Sequence, residues 1–169
     1  ANEPAVTQGQ QRIDLRNGLI LIDSPGILWP KIENPNSGYR LALAGSIKNT
    51  AMNHEDVACF GADFFLKNYP ELMKQRFKLS TLPATEIEFL EIIGKQRGSL
   101  GGGGYVDFHK IANIVLQEFR NIVIGRISME TPEDIEREMI IVQQLREEKL
   151  ALQELSKKQR KKEFNTRNR

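Results

Sequence analysis

The chain has 169 residues, the size of one ordinary domain, and 40% of them are apolar, enough to bury a core and to exclude wholesale disorder. Its 24 Lys and Arg against 22 Asp and Glu give a net charge of +2, but from Ser156 onward seven basic residues face one acid, so a +6 tail follows a body of −4. A single cysteine, Cys59, excludes a disulfide framework and any zinc site built on several thiolates, no apolar run is long enough to cross a bilayer, and the first residues do not read as a secretory signal.

In chain order, Arg12–Leu15 and Leu19–Asp23 flank Asn17-Gly18, the dipeptide best suited to a type I′ turn, and together predict an antiparallel hairpin. The second strand is continuously apolar, as expected of a strand covered on both faces. Ser24-Pro25-Gly26 form a loop, and Pro30 with Asn34-Pro35-Asn36 should keep the chain irregular to about Ser37. Helical spacing then begins. Gly38–Lys48 carries Leu41, Leu43, Ala44 and Ile47. Asn53 caps a helix through Val57, Phe60, Phe64 and Phe65 towards Tyr69. Pro70 opens a short helix with Leu72, Met73 and Phe77. Thr85–Ile93 forms another, which Gly94 should stop. After a glycine-rich connector at 101–104, Asp107 caps a helix bearing Ile111, Val115 and Phe119. Thr131-Pro132-Glu133-Asp134 combines an N-cap, a first-turn proline and early acids, and opens a long helix that should dissolve into a disordered basic tail.

A lone hairpin is too small for a stable sheet, so its buried-looking strand calls for neighbours that these residues do not supply. The fold expected is mostly α. A small hairpin with its loops (residues 1–50) precedes an all-helical domain (51–130) and a long helix with a basic tail (131–169).

Asp23-Ser24-Pro25-Gly26 follows an apolar strand, the place where P-loop NTPases keep an Asp for magnesium and a glycine whose N–H approaches the terminal phosphate. An ordinary strand-end turn favours the same residues. Thr7 lies one hairpin upstream, which is the arrangement of a switch threonine that joins the magnesium shell when a γ-phosphate is present; a plain loop threonine is the competing reading.

Pro4-Ala5-Val6-Thr7-Gln8-Gly9-Gln10-Gln11 and Leu21-Ile22-Asp23-Ser24-Pro25-Gly26-Ile27-Leu28-Trp29-Pro30-Lys31 closely resemble the ribosome biogenesis GTPase A family (YlqF/RbgA). The likeness continues through Arg40–Lys48, Ile93–Gly98, Phe119-Arg120 and Gly125–Ile127, over about residues 2 to 130. That resemblance implies a circularly permuted GTPase domain, with Asn-Lys-x-Asp first, then the P-loop, then the switch Thr and Asp-x-Pro-Gly, followed by a helical RNA-binding domain. It assigns guanine nucleotide contacts to Thr7, Asp23, Pro25 and Gly26, and Mg²⁺ to Thr7 and Asp23. Ala5 stands where the family usually has glycine. Neither Gly-x-x-x-x-Gly-Lys-[Ser/Thr] nor Asn-Lys-x-Asp occurs among the 169 residues, so the chain reads as the C-terminal part of such a GTPase, without tight GTP binding of its own. Apolar Ile27 and Leu28 follow the glycine, so no catalytic residue is assigned here; the catalytic polar group would come from elsewhere.

Lys95, Arg97, Lys110, Arg120 and Arg126 are candidate RNA contacts, as are Lys157, Lys158, Arg160, Lys161 and Lys162 of the tail; scattered solvated charge accounts equally well for the first group. His54 and His109 read as surface histidines without metal partners, and Cys59 as core. Trp29 reads as a packing residue. The helix behind Pro132 suits a coiled-coil seam, packing on the body or self-association in an adaptor. The family reading makes this a part of a GTP-hydrolysing factor for large-subunit assembly, monomeric, bound to ribosomal RNA and not to membranes. Its expected location is the cytoplasm, or an organelle with bacterial-type ribosomes. The alternative is a non-catalytic helical RNA-binding module with a vestigial switch hairpin.

Overall fold

The computed structural model describes residues 9–25, 32–48 and 51–167, with side chains through residue 160. They form two compact units, divided between Met129 and Glu130. The first holds a two-stranded sheet and five α-helices, and the second is one long helix.

Strands β1 (Gln11–Asp14) and β2 (Ile20–Asp23) pair antiparallel, with Gln11 opposite Asp23 and Asp14 opposite Ile20. The connection differs from the expected two-residue type I′ turn. Leu15 N donates to the Leu19 carbonyl at 3.1 Å across a three-residue loop, in which Arg16 and Gly18 take positive φ (58° and 82°) while Asn17 does not. Side-chain acceptors decide this: Asp14 Oδ1 takes the Arg16 N–H at 2.8 Å and Asn17 Oδ1 takes the Leu19 N–H at 3.1 Å. The strand expected to be covered on both faces is open, with Ile20 49% and Ile22 63% exposed.

Helix α1 (Pro35–Leu43) begins earlier than expected. Asn34 is its N-cap, accepting from Asn36 N at 3.0 Å, and Pro35 occupies the first turn; the Asn-Pro pair that signals a turn also serves as cap and first helical residue. The helix stops at a Schellman motif, with Gly45 at φ 78°, Gly45 N bonded to Ala42 O and Ser46 N to Leu41 O, so Ile47 lies outside it. Arg120 adds a second terminator. Its Nε and a terminal N–H donate to the carbonyls of Leu43 (3.0 Å) and Ala42 (2.8 Å), supplying a cation to the negative end of the helix dipole.

Helix α2 (His54–Asn68) has the expected Asn53 cap, and α3 (Pro70–Phe77) starts on its proline. Helix α4 (Glu86–Gln96) is capped by Thr85 and runs through Gly94 instead of ending there. A Cβ on Gly94 would sit 2.5 Å from Val106 Cγ1, so this glycine is there for close approach; Gly98, at φ 64°, makes the stop. Helix α5 (Phe108–Arg120) is capped by Asp107. The glycine-rich connector is closed by a bridge between Leu100 and Val106.

The core lies among α1–α5: Leu43, Val57, Phe65, Met73, Phe77, Phe89, Ile93, Ile111, Val115 and Leu116 are buried together. Phe65 stacks on Phe119 with centroids 5.3 Å apart, and Phe77 meets Phe89 edge-on at 5.2 Å. After α5 the chain turns with Ile122 at φ 59°, Val123 N reaching Glu118 O. A β-branched residue in this left-handed region is strained.

The second unit is α6 (Pro132–Arg167). Thr131 and Asp134 cap each other reciprocally, with Asp134 N on Thr131 Oγ1 and Thr131 N on Asp134 Oδ2. The basic tail expected to be disordered continues this helix to Arg167, because Lys, Arg and Gln are good helix formers joined without a break to a helix already nucleated.

Three stability measurements follow from these contacts. Gly94→Ala should lose about 1–3 kcal/mol to overpacking, offset in part by roughly 1 kcal/mol of helix propensity. Val106→Ala in the same chain should recover the overpacking term; strictly additive urea-unfolding energies would exclude the contact. Ile122→Gly should raise stability by about 1 kcal/mol by relieving the positive φ, and a lowered denaturation midpoint would contradict that. Arg120→Ala, which strips two carbonyls of a charged donor, should cost about 1.5–3 kcal/mol; unchanged stability would remove its capping role.

Candidate functional site

The hairpin register decides what surrounds Asp23. Since Gln11 lies opposite Asp23, the chain enters β1 at the same end at which it leaves β2. Asp23 is half-buried there and Pro25 is exposed. Thr7, Gly26 and Trp29 lie outside the described residues. Among the described residues no group of three or more His, Cys, Asp or Glu could hold a metal ion. Asp23 offers a single carboxylate, which fits the one-acid, water-mediated magnesium contact of P-loop enzymes and not a protein cage.

The basic residues singled out in the helical body separate into different situations. Lys95 is exposed in the last turn of α4 and Lys110 is exposed in the first turn of α5. Lys110 and Arg120 stand ten positions apart on one helix, about 15 Å along its axis, so they share no single patch. Arg126 is exposed beyond α5. Arg120 is committed to the end of α1, and burial lowers its pKa. Arg97 donates to Glu118 Oε1 at 2.9 Å. Lys157, Lys158 and Arg160 are exposed on α6, and the backbone of Lys161 and Lys162 continues it.

Sequence reasoning missed the partner that Arg97 shares. Glu118, whose side chain is only 13% exposed, also accepts two hydrogen bonds from Arg76, at 2.9 Å from Nε and 2.7 Å from a terminal nitrogen. The forked pair holds the Arg76 guanidinium above its ordinary pKa. Arg76, Phe77 and Lys78 of the α3 end, with Gln96 and Arg97 of the α4 end, line an open groove of about 420 Å³. Nothing local marks this cluster: Arg76 and Glu118 are 42 residues apart. A basic helix end is the one signal in the sequence, and α3 and α4 both carry it.

Two further groupings emerge. Packing of α2 on α5 stacks His54 and His109 with centroids 5.7 Å apart, with His54 Nδ1 2.6 Å from Asn113 Oδ1. An apolar hollow of about 290 Å³ lies between α1 and the start of α2, with Tyr39, Ile47, Met52 and Val57 in its wall. Cys59 is partly buried against the core, and that burial, with Glu86, Asp56 and Glu55 nearby, pushes its thiol pKa up. It is therefore a poor nucleophile.

No family model matches the chain. A curated relative, ribosome biogenesis GTPase A of Priestia megaterium, is 45% identical over 136 residues, covering 80% of this chain and 47% of the relative. The protein of the same name from Bacillus cereus is 40% identical over 146 residues, covering 86% of this chain and 49% of the relative. Among solved structures, GNP-bound YlqF from T. maritima aligns with a TM-score of 0.47 at 26% identity, over 76% of this chain and 50% of that one. The chain spans about half the length of the curated relatives it matches. Over some four fifths of its residues this chain is thus similar to proteins named ribosome biogenesis GTPase A.

Proposed function

We propose that the chain is the C-terminal portion of a GTP-hydrolysing factor that acts in assembly of the large ribosomal subunit and binds ribosomal RNA through its helical domain. The observation that carries this reading is the pairing of 45% identity to a ribosome biogenesis GTPase A with Asp23-Ser24-Pro25-Gly26 at the end of an apolar strand. In the intact protein Asp23 and Thr7 would hold Mg²⁺, Pro25 would shape the turn, and Gly26 would offer its N–H to the γ-phosphate. Bound Mg²⁺ neutralises phosphate charge. The register sets Gln11, the first residue of β1, opposite Asp23, and Thr7 stands four residues before it in the sequence.

The exposed apolar surface of the hairpin supports the same reading. Leu19, Leu21 and Ile22 are 61%, 49% and 63% exposed, a costly surface for a free edge and a suitable one for a strand inside a larger sheet. GTP contacts of the P-loop and Asn-Lys-x-Asp kinds have no residues in this chain, so the 169 residues alone bind GTP weakly and do not hydrolyse it. The partner is the large subunit and its RNA, the chain is a monomer, and the location follows the ribosome, in the cytoplasm or in an organelle with bacterial-type ribosomes.

Of the basic residues, Lys95, Lys110 and Arg126 are exposed, as are Lys157, Lys158 and Arg160 of α6, and these are the RNA contacts this reading uses, while Arg120 is kept by α1. A fluorescent GTP analogue titrated into the chain as it stands should give no saturable signal, and the intact protein should bind it in Mg²⁺. Asp23→Ala in the intact protein should weaken Mg²⁺-dependent binding about 10- to 100-fold, with hydrolysis falling in step. Normal Mg²⁺-dependent hydrolysis by that variant would overturn the role of Asp23. Failure of the intact protein to bind GTP would favour the RNA-binding module with a vestigial hairpin.

A further inference from the structure

Helices α3, α4 and α5 bring their C-terminal ends together, and each end carries a charged side chain. Lys78 terminates α3 in a left-handed conformation at φ 52° and is exposed. Arg97 follows the last residue of α4. Glu118 in the last turn of α5 bonds Arg76 twice and Arg97 once. The single carboxylate fixes two guanidiniums in one orientation but leaves an excess of cations. Arg76, Lys78 and Arg97 outweigh Glu118 and the fractional negative charge of three helix ends, about half a unit each.

A guanidinium has five N–H donors. Two of those on Arg76 and one on Arg97 are used by Glu118, and both arginines line a groove of about 420 Å³. The groove offers donors and positive charge without a base platform: Phe77 is 4% exposed and turned into the core against Phe89. That combination recognises a backbone phosphate and not a base. Glu118 makes the site preorganised, since the arginines need not lose rotamer freedom when the anion arrives.

We propose that this groove binds a phosphate of an RNA backbone, with Lys78 and the remaining N–H groups of Arg76 and Arg97 as donors. The proposal rests on the RNA-binding reading above and adds the contact: Arg76 and Lys78 join Arg97 as one clamp, which Glu118 positions without touching RNA.

The experiment is fluorescence anisotropy of a labelled large-subunit rRNA transcript with the whole chain, repeated across KCl concentrations. Lys78→Asn is the main variant, because asparagine tolerates the left-handed conformation and leaves all three arginine–Glu118 hydrogen bonds intact. Its salt slope should fall by about 1 relative to the wild-type chain, with an unchanged melting curve. Lys67→Gln, equal in charge change but on α2 and paired with Asp63, should leave the slope alone. A Lys78→Asn slope equal to that of the wild type, or a Lys67→Gln loss of the same size, overturns the clamp while RNA binding stands. A wild-type chain that does not bind the transcript at all removes both the RNA reading and the clamp.

Discussion

The body depends on how closely other helices approach α2. Its buried residues are Val57, Ala58, Gly61, Ala62 and Phe65, three of them small. A Cβ on Gly61 would lie 2.8 Å from Leu43 Cδ1, so α1 rests on α2 at a distance that only glycine permits. The polar contacts follow from that seat. With α1 held there, its last carbonyls come within reach of Arg120 on α5. Two residues earlier on α5, Glu118 gathers Arg76 from α3 and Arg97 from α4. The apolar packing of α2 therefore sets the position of every charged group that borders the groove.

The hairpin obeys a different constraint. Its four ladder pairs and three loop hydrogen bonds define the register well, but no strand residue is fully buried. A two-stranded ribbon gains little from burial, and local hydrogen bonds supply most of what holds it. Its apolar side chains sit at the period of a strand meant for both faces of a sheet, while its solvent exposure is that of an edge. Both properties fit the proposal above that the hairpin belongs to a larger sheet.

Much of the helical body was legible because its signals are local. Asn53, Thr85, Asp107 and Thr131 each cap a helix with a side chain that bonds an N–H two or three residues on, and such a contact needs nothing outside the segment. Misreadings occurred where one residue type serves two purposes. Glycine 94 has the look of a terminator, but its reason is Val106, twelve positions away in the chain and in contact across the connector. Asn34-Pro35 looks like a turn and works as cap and first helical residue. At the hairpin, Asn17-Gly18 favoured a two-residue turn in isolation, and the carboxylate of Asp14 shifted the balance to three. The site divides in the same way. Asp23 and Pro25 were visible as a motif at a strand end, whereas the duties of Arg97 and Arg120 were not, since their partners lie 21 and 77 positions away.

Charge shows why composition alone misleads about surfaces. The first 155 residues carry −4, yet cations predominate in their groove. Helix polarity produces the separation. Acids occupy first turns, Glu55 and Asp56 in α2, Glu71 in α3, Glu86 and Glu88 in α4, where they face the positive end of the dipole. Bases occupy last turns, Lys74 and Arg76 in α3, Lys95 in α4, Arg120 in α5. Once α3 and α4 are packed so that their C-terminal ends adjoin, the bases of both collect on one side and the acids of both are carried away from it. A near-neutral sequence thereby acquires a locally basic surface through the direction of its helices, and the sign of that surface is fixed by topology before any single lysine or arginine is chosen.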